Sequence, residues 1–119
     1  MTSPLQEPTF LILTALAATP LHGYGVIQQV AALSDDRVRL RPGTLYGALD
    51  RLAEQGLVEV SSEEVVEGRL RRYYRLTDHG AAVLEAEAAR LRANADAAAR
   101  ELNRRPRARQ RPAHRPATP

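Results

Sequence analysis

The chain has 119 residues, room for one domain with at most an appended helix and tail, which excludes a large multidomain enzyme. Hydrophobic residues make up 44% and aromatic ones 4%, so Leu, Val, Ile and Ala must fill the core, and the absence of cysteine excludes disulfides, thiolate metal ligands and a cysteine nucleophile. All 17 basic residues are arginine, and the net charge of +3 divides into −3 over residues 1 to 103 and +6 over residues 104 to 119, so the folded part is not uniformly basic. A nucleic-acid role must rest on where the arginines cluster and not on their total.

The residues after Met1 lack the basic start of a signal peptide, and no apolar run reaches the roughly 18 residues of a membrane span. The expected location is the cytoplasm, in association with the nucleoid, with no membrane partner. Residues 8 to 18 are apolar on nearly every side behind Pro8, which suits a first helical turn, and predict a buried helix broken at Thr19-Pro20. Val26, Ile27, Val30 and Leu33 form the stripe of a second, amphipathic helix that starts after Leu21-His22-Gly23 and ends near Ser34-Asp35-Asp36. A third starts near Pro42, aligns Leu45, Leu49 and Leu52, and stops at Gly56, a residue suited to the left-handed turn.

From Leu57 the period changes to two. Leu57 to Val60 is strand-like, Val66-Glu67-Gly68 supplies a turn, and Arg69 to Leu76 alternates again, which predicts a β-hairpin. On its second strand Leu70, Arg72, Tyr74 and Leu76 share one face, while Arg69, Arg71, Tyr73 and Arg75 share the other. Thr77 or Asp78 can cap a long last helix in which Leu84, Ala88, Leu91, Ala95, Ala98 and Leu102 recur at alternating spacings of four and three, a heptad seam. After Asn103 come six arginines, four prolines and no large apolar residue, which predicts a disordered basic tail.

The expected fold is therefore mainly α with a β-hairpin wing: a winged helix-turn-helix over residues 1–77, a C-terminal dimerisation helix over 78–103, and the tail over 104–119. In such a fold the third helix enters the major groove and the hairpin reaches an adjacent part of the duplex. The helix face opposite Leu45, Leu49 and Leu52 carries Gly43, Gly47, Asp50 and Glu54, flanked by Thr44, Tyr46 and Arg51. A glycine inside a helix costs about 0.5 to 1 kcal/mol relative to alanine, so Gly47 needs a reason, and close approach to DNA is one. Asp50 and Glu54 would repel phosphates, so only the start of the helix should enter the groove, presenting its positive dipole end with Arg39, Arg41, Thr44 and Tyr46.

Each candidate also has a structural role open to it. Tyr46 is either a DNA contact or a half-buried ring packed on the second helix. The wing arginines Arg69, Arg71, Arg72 and Arg75, beside Tyr73, either neutralise phosphates or pair with Glu59, Glu63, Glu64 and Glu67. Both hold if Arg72 or Arg75 is paired internally while Arg69 and Arg71 reach the duplex. The Leu/Ala seam either packs on the first helix of its own chain or joins two chains, which would present two reading helices to half-sites about 34 Å apart on a palindromic operator.

The ordered set of segments Glu7 to Leu13, Leu21-His22-Gly23-Tyr24, Pro42 to Leu52, Gly56-Leu57-Val58 and Arg72 to Thr77 with Gly80 resembles the PadR-type bacterial transcriptional regulators. The resemblance implies a homodimeric winged-helix repressor with DNA contacts at His22, Tyr24, Thr44, Tyr46 and the wing arginines, dimerised through the last helix. It implies repression of its own or a neighbouring operon, relieved by a small-molecule inducer. The chain looks like the short form with one C-terminal helix. It has no tryptophan, so a drug pocket built on paired tryptophans does not carry over, and the Arg/Pro tail has no counterpart in the family pattern. Adding Gly23, Arg39, Arg41, Gly47, Arg51 and Tyr73 completes the candidate DNA-facing set.

Other classes fit less well. His22, His79 and His114 are scattered, no nucleophile, base and orienting group share a recognisable spacing, and His22 beside a helix start reads as a phosphate or capping contact, so an enzyme is not expected. A metal sensor has too few ligands, and neither a metal nor any other cofactor is expected. The alternative from another class is a non-specific, architectural nucleic-acid-binding protein that acts through the wing and the basic tail.

Overall fold

The structure is a computed structural model that describes residues 4–107. Its elements are α1 (Glu7–Ala15), β1 (Leu21–His22), α2 (Gly23–Leu33), α3 (Pro42–Glu54), β2 (Val58–Val66), β3 (Arg69–Leu76) and α4 (Asp78–Arg104). This is a winged helix with a long C-terminal helix, and contacts divide the chain after Ala88 into two compact units.

Helix α1 buries Leu11, Ile12, Leu13 and Ala15, as its apolar sequence predicts. It ends three residues before the predicted Ala18. Ala17 to Pro20 are exposed, so a further turn would bury nothing, and the residue before Pro20 disfavours the helical region. Helix α2 turns Val26 and Val30 inward, and α3 turns Leu45, Ala48, Leu49 and Leu52 inward. The connection between them is organised by buried Ser34, whose hydroxyl donates to the Val30 carbonyl (2.9 Å) and accepts from the Val38 N–H (3.0 Å). Asp35 and Asp36 follow in the left-handed region, with φ of 52° and 66°, and Arg37 ties the loop to α1 through Glu7 at 2.9 Å. Gly56, at φ 77°, ends the α3 region as its position after Glu54 predicts.

The hairpin is there, and β2 runs on to Val66. Glu67 and Gly68 close it with positive φ of 53° and 80°, as a two-residue turn matched to the strand twist requires. A bulge between Val60 and Ser62 lets two stretches of β2 keep register with one continuous β3. The sheet has a third strand that the sequence pattern does not announce: β1 pairs antiparallel with β3, Leu21 opposite Tyr74 and His22 opposite Tyr73. Two residues are too few to carry a period, and the strand forms because β3 offers it a free edge.

The start of α4 completes this first unit. Thr77 caps it, its hydroxyl accepting from the Gly80 N–H (2.9 Å) and donating to the Gly56 carbonyl (2.6 Å). Gly80 lies so close to the Leu57 backbone that a side chain there would overlap it, and Val83 and Leu84 pack on the core. Glu87 is buried and accepts the Leu5 N–H at 3.0 Å. In the second unit α4 runs on to Arg104, with Leu91 and Leu102 exposed by 41% and 62%. Most of the predicted tail, residues 108–119, lies outside the described residues.

Candidate nucleic-acid interface

Three segments distant in sequence meet at one end of the first unit: the start of α2, α3 at Tyr46, and the hairpin end of β2 and β3. His22, Gly23, Tyr24, Tyr46, Arg69, Arg71 and Arg72 of the candidate set line one open cleft of about 770 Å³, together with Val66, Glu67 and Leu70.

His22 is fixed from two directions. As the last residue of β1 it is held to β3, and as the N-cap of α2 its Nδ1 accepts the Gly25 N–H at 3.1 Å. The proton of the neutral ring is therefore assigned to Nε2. The ring stacks on Tyr73 with centroids 5.4 Å apart and planes 6° apart, which links the wing to the helical layer. Burial, and after it the Arg71 charge, lowers the His22 pKa below its ordinary 6.5, while Glu64 opposes the shift. Gly25 leaves room for this cap, since a Cβ there would lie 2.9 Å from Nδ1.

Gly23, buried, does the same for Tyr46. A Cβ on Gly23 would overlap the Tyr46 hydroxyl and sit 2.6 Å from Cζ, so the bare Cα is the seat of the ring. Tyr46 is nonetheless 46% exposed, so the half-buried packing and an outward hydroxyl coexist. Tyr24 is exposed by 64% beside it.

The first turn of α3 has Arg41 at the N-cap with no side-chain cap bond and Pro42 behind it, so the Gly43 and Thr44 N–H groups have no protein partner among the described residues. Nothing lies within 4 Å of where a Gly43 side chain would begin. A free, uncrowded helix N-terminus is favourable to an anion. Thr44 and Arg41 are exposed around it, and Arg39 is exposed and paired with Asp36 at 3.3 Å. Arg51 folds back along α3, its Nη1 3.7 Å from where a Gly47 side chain would begin, so no neighbour within the chain forbids alanine at position 47. Asp50 and Glu54 are exposed.

The wing arginines divide as the charge pattern allowed. Arg72 pairs with Glu63 at 2.9 Å and Arg75 with Glu59 at 2.6 Å, and the Glu63 bond is the first reason that the Arg72 pKa is raised. Arg69 and Arg71 have no ion pair among the described residues. On α4, Leu84 and Ala88 are half-buried, whereas Leu91, Ala95, Ala98 and Leu102 are exposed. The residues that sequence reasoning missed are Val66, Glu67 and Leu70 of the cleft. Their signal was present in the register, since Val66 opposes Arg69 and Leu70 opposes Val65 at the hairpin end. Among the described residues no helix is long and apolar enough to cross a membrane, and no three His, Cys, Asp or Glu side chains are grouped to hold a metal.

Three helices, a capped entry into the second of them, and a hairpin beside the start of the third define the winged-helix class. The profile of the PadR-like family of transcriptional regulators matches residues 12–86, and the chain belongs to that family, one of regulators and not of enzymes. It is 45% identical over 73 residues to a transcriptional regulator of Mycobacterium tuberculosis, covering 61% of this chain and 64% of that one, so the match spans less than two thirds of the relative. Among solved structures, a PadR family transcription regulator of Clostridium difficile superposes with a TM-score of 0.68 at 26% identity, over 82% of this chain and 99% of that one. Bacillus subtilis PadR in complex with operator DNA shares the fold, with a TM-score of 0.61 at 20% identity over 68% of this chain and 47% of that one.

Proposed function

We propose that the chain is a sequence-specific DNA-binding repressor that acts as a homodimer on a palindromic operator of its own or a neighbouring operon. The observation that carries this is the convergence, in one cleft, of Tyr24 at the start of α2, Tyr46 of α3, and Arg69 and Arg71, the two wing arginines with no ion pair among the described residues. The first two turns of α3, with Arg41 at the cap and Thr44, Tyr46 and Gly47, enter the major groove; Arg39 and Arg51 flank them, and Asp50 and Glu54 stay outside. His22, Gly23 and Tyr24 lie against the backbone, and Arg69 and Arg71 of the wing neutralise phosphates. Arg72 and Tyr73 hold the wing in position, through Glu63 and through the His22 ring. Two such units are joined by Leu91, Ala95, Ala98 and Leu102 of α4, with Leu84 and Ala88 at the start of the same seam. A small-molecule inducer that separates or reorients the two reading helices would relieve repression. That Bacillus subtilis PadR is known in complex with operator DNA supports the nucleic-acid partner.

The test is fluorescence anisotropy of the purified protein on the duplex upstream of its own gene, at several salt concentrations, against unrelated duplex of equal length. The expected result is binding at least about a thousandfold tighter to the upstream duplex, the lower range for specific recognition. Equal affinity for both duplexes, lost on removal of residues 104–119, would instead mark a non-specific protein that binds through its tail.

A further inference from the structure

Phosphate neutralisation leaves one part of the wing unexplained. Val65 and Leu70 are direct partners across β2 and β3, one pair inward from the turn, and are exposed by 70% and 58%. The core does not account for them: Val58 and Tyr74, farther down the same two strands, are buried, whereas this pair is open to solvent. A polar pair would serve as well in a solvated hairpin, so an aliphatic pair held open to water points to a partner surface. Residues 63 to 72 also carry three glutamates against three arginines, so the hairpin end has no net charge with which to hold a polyanion at a distance. Its affinity must come from groups placed in contact. In sequence Leu70 lies between Arg69 and Arg71, which have no ion pair among the described residues; strand alternation turns it to the other face of β3, and it lines the same cleft as Tyr24 and Tyr46.

We propose that Val65 and Leu70 form an apolar contact with the deoxyribose edges of the duplex, in the groove next to the one that α3 enters. This rests on the DNA-binding reading above. The chemistry fits: between two phosphate-lined rims a groove presents the C–H surfaces of sugars, and a hairpin set edgewise in it turns Arg69 and Arg71 on one face to one rim and Val65 and Leu70 on the other face to the sugars of the opposite strand. The contact supplies the part of wing affinity that salt does not screen, because burying apolar surface displaces no counterions.

The separation of these two contributions is the test. On the upstream duplex, with the full chain, Val65→Ser/Leu70→Ser is expected to weaken binding about tenfold at every salt concentration, the effect of removing some 50 to 60 Å² of apolar contact. The slope of log K against log salt stays unchanged. Arg71→Ala is the reference and lowers that slope by about 1. Val65→Ile/Leu70→Ile, which keeps the apolar surface, is expected to bind like the original. Unchanged affinity of the serine variant, or a slope change like that of Arg71→Ala, overturns the proposal. So does a fall in apparent mass of the serine variant in sedimentation without DNA, which would assign the pair to a second copy of the chain. Failure of the original protein to bind any duplex defeats the DNA-binding reading itself, a result distinct from all of these.

Discussion

Gly23→Ala isolates the fit on which the reading surface depends. Position 23 has an ordinary helical φ, and alanine there should favour the helix by up to about 1 kcal/mol. Its Cβ would nevertheless overlap the Tyr46 hydroxyl and lie 2.6 Å from Cζ. The Gly23 backbone is fixed between β1 and α2, so the ring must leave. Tyr46 is 46% exposed, so roughly 100 Å² of its side chain is covered, worth at most about 2.5 kcal/mol at 25 cal/mol per Å². A ring swung aside recovers part of this elsewhere, so the net cost of Gly23→Ala should be about 1 kcal/mol. In a Tyr46→Ala background the obstacle is absent, and the same change should be neutral or stabilising. The coupling between the two positions is then about 1 to 2 kcal/mol, within the range measured for touching residues. Urea unfolding of the four proteins at one protein concentration gives the cycle, and anisotropy on the upstream duplex gives its functional counterpart. In the second assay Gly23→Ala should weaken binding nearly as much as Tyr46→Ala, with the double variant no worse than either. Equal costs of Gly23→Ala in both backgrounds would refute the seat.

Gly80→Ala should be far more damaging, because its Cβ meets the Leu57 backbone and the Leu76 side chain and not the end of a movable ring. A loss of about 3 kcal/mol or more in urea unfolding is expected, and a loss under 1 kcal/mol would mean that α4 can shift without penalty. His22 gives a pH dependence of defined sign. Burial and Arg71 lower its pKa in the folded state, so the unfolded chain binds the proton more readily. The His22 contribution to stability is present above pH 6.5 and is lost as the pH falls from there through the folded-state pKa. His22→Asn, which keeps an N-cap acceptor, should remove that part of the slope between pH 7.5 and 5.5, and an unchanged slope would place the dependence elsewhere. Leu91→Asp should give a folded monomer by sedimentation with poor operator affinity, and a dimer that survives it rules out the α4 seam as the joining surface.

How much of this could be read from the chain depends on the range over which each feature is determined. Helices α2, α3 and α4 and the hairpin were legible because each announces itself within a dozen residues, by stripes such as Leu45, Leu49 and Leu52 or by the alternation of Arg69 to Leu76. The positively charged face was legible for the same reason. What was not legible was set by contacts between segments. The strand at Leu21 and His22 exists only because β3 has an open edge, and with it comes the stacking of His22 on Tyr73, 51 residues away. The end of α1 is fixed by where burial stops and not by Pro20 alone. Two glycines make the same point: Gly23 and Gly80 look like ordinary turn residues in the sequence, yet each is small because another segment rests on it. The sequence therefore showed which residue types could touch a duplex. Which of them are free to do so was decided by pairing across the hairpin, where Glu63 and Glu59 occupy Arg72 and Arg75 and leave Arg69 and Arg71. Along the hairpin Glu59 faces Arg75, Glu63 faces Arg72 and Glu64 faces Arg71, while Arg69 faces Val66 and is offered no carboxylate. Register, fixed by the Glu67-Gly68 turn and the bulge at Val60, thus decides which arginine faces a carboxylate, and side-chain geometry decides the rest, since Arg71 faces Glu64 and makes no ion pair with it.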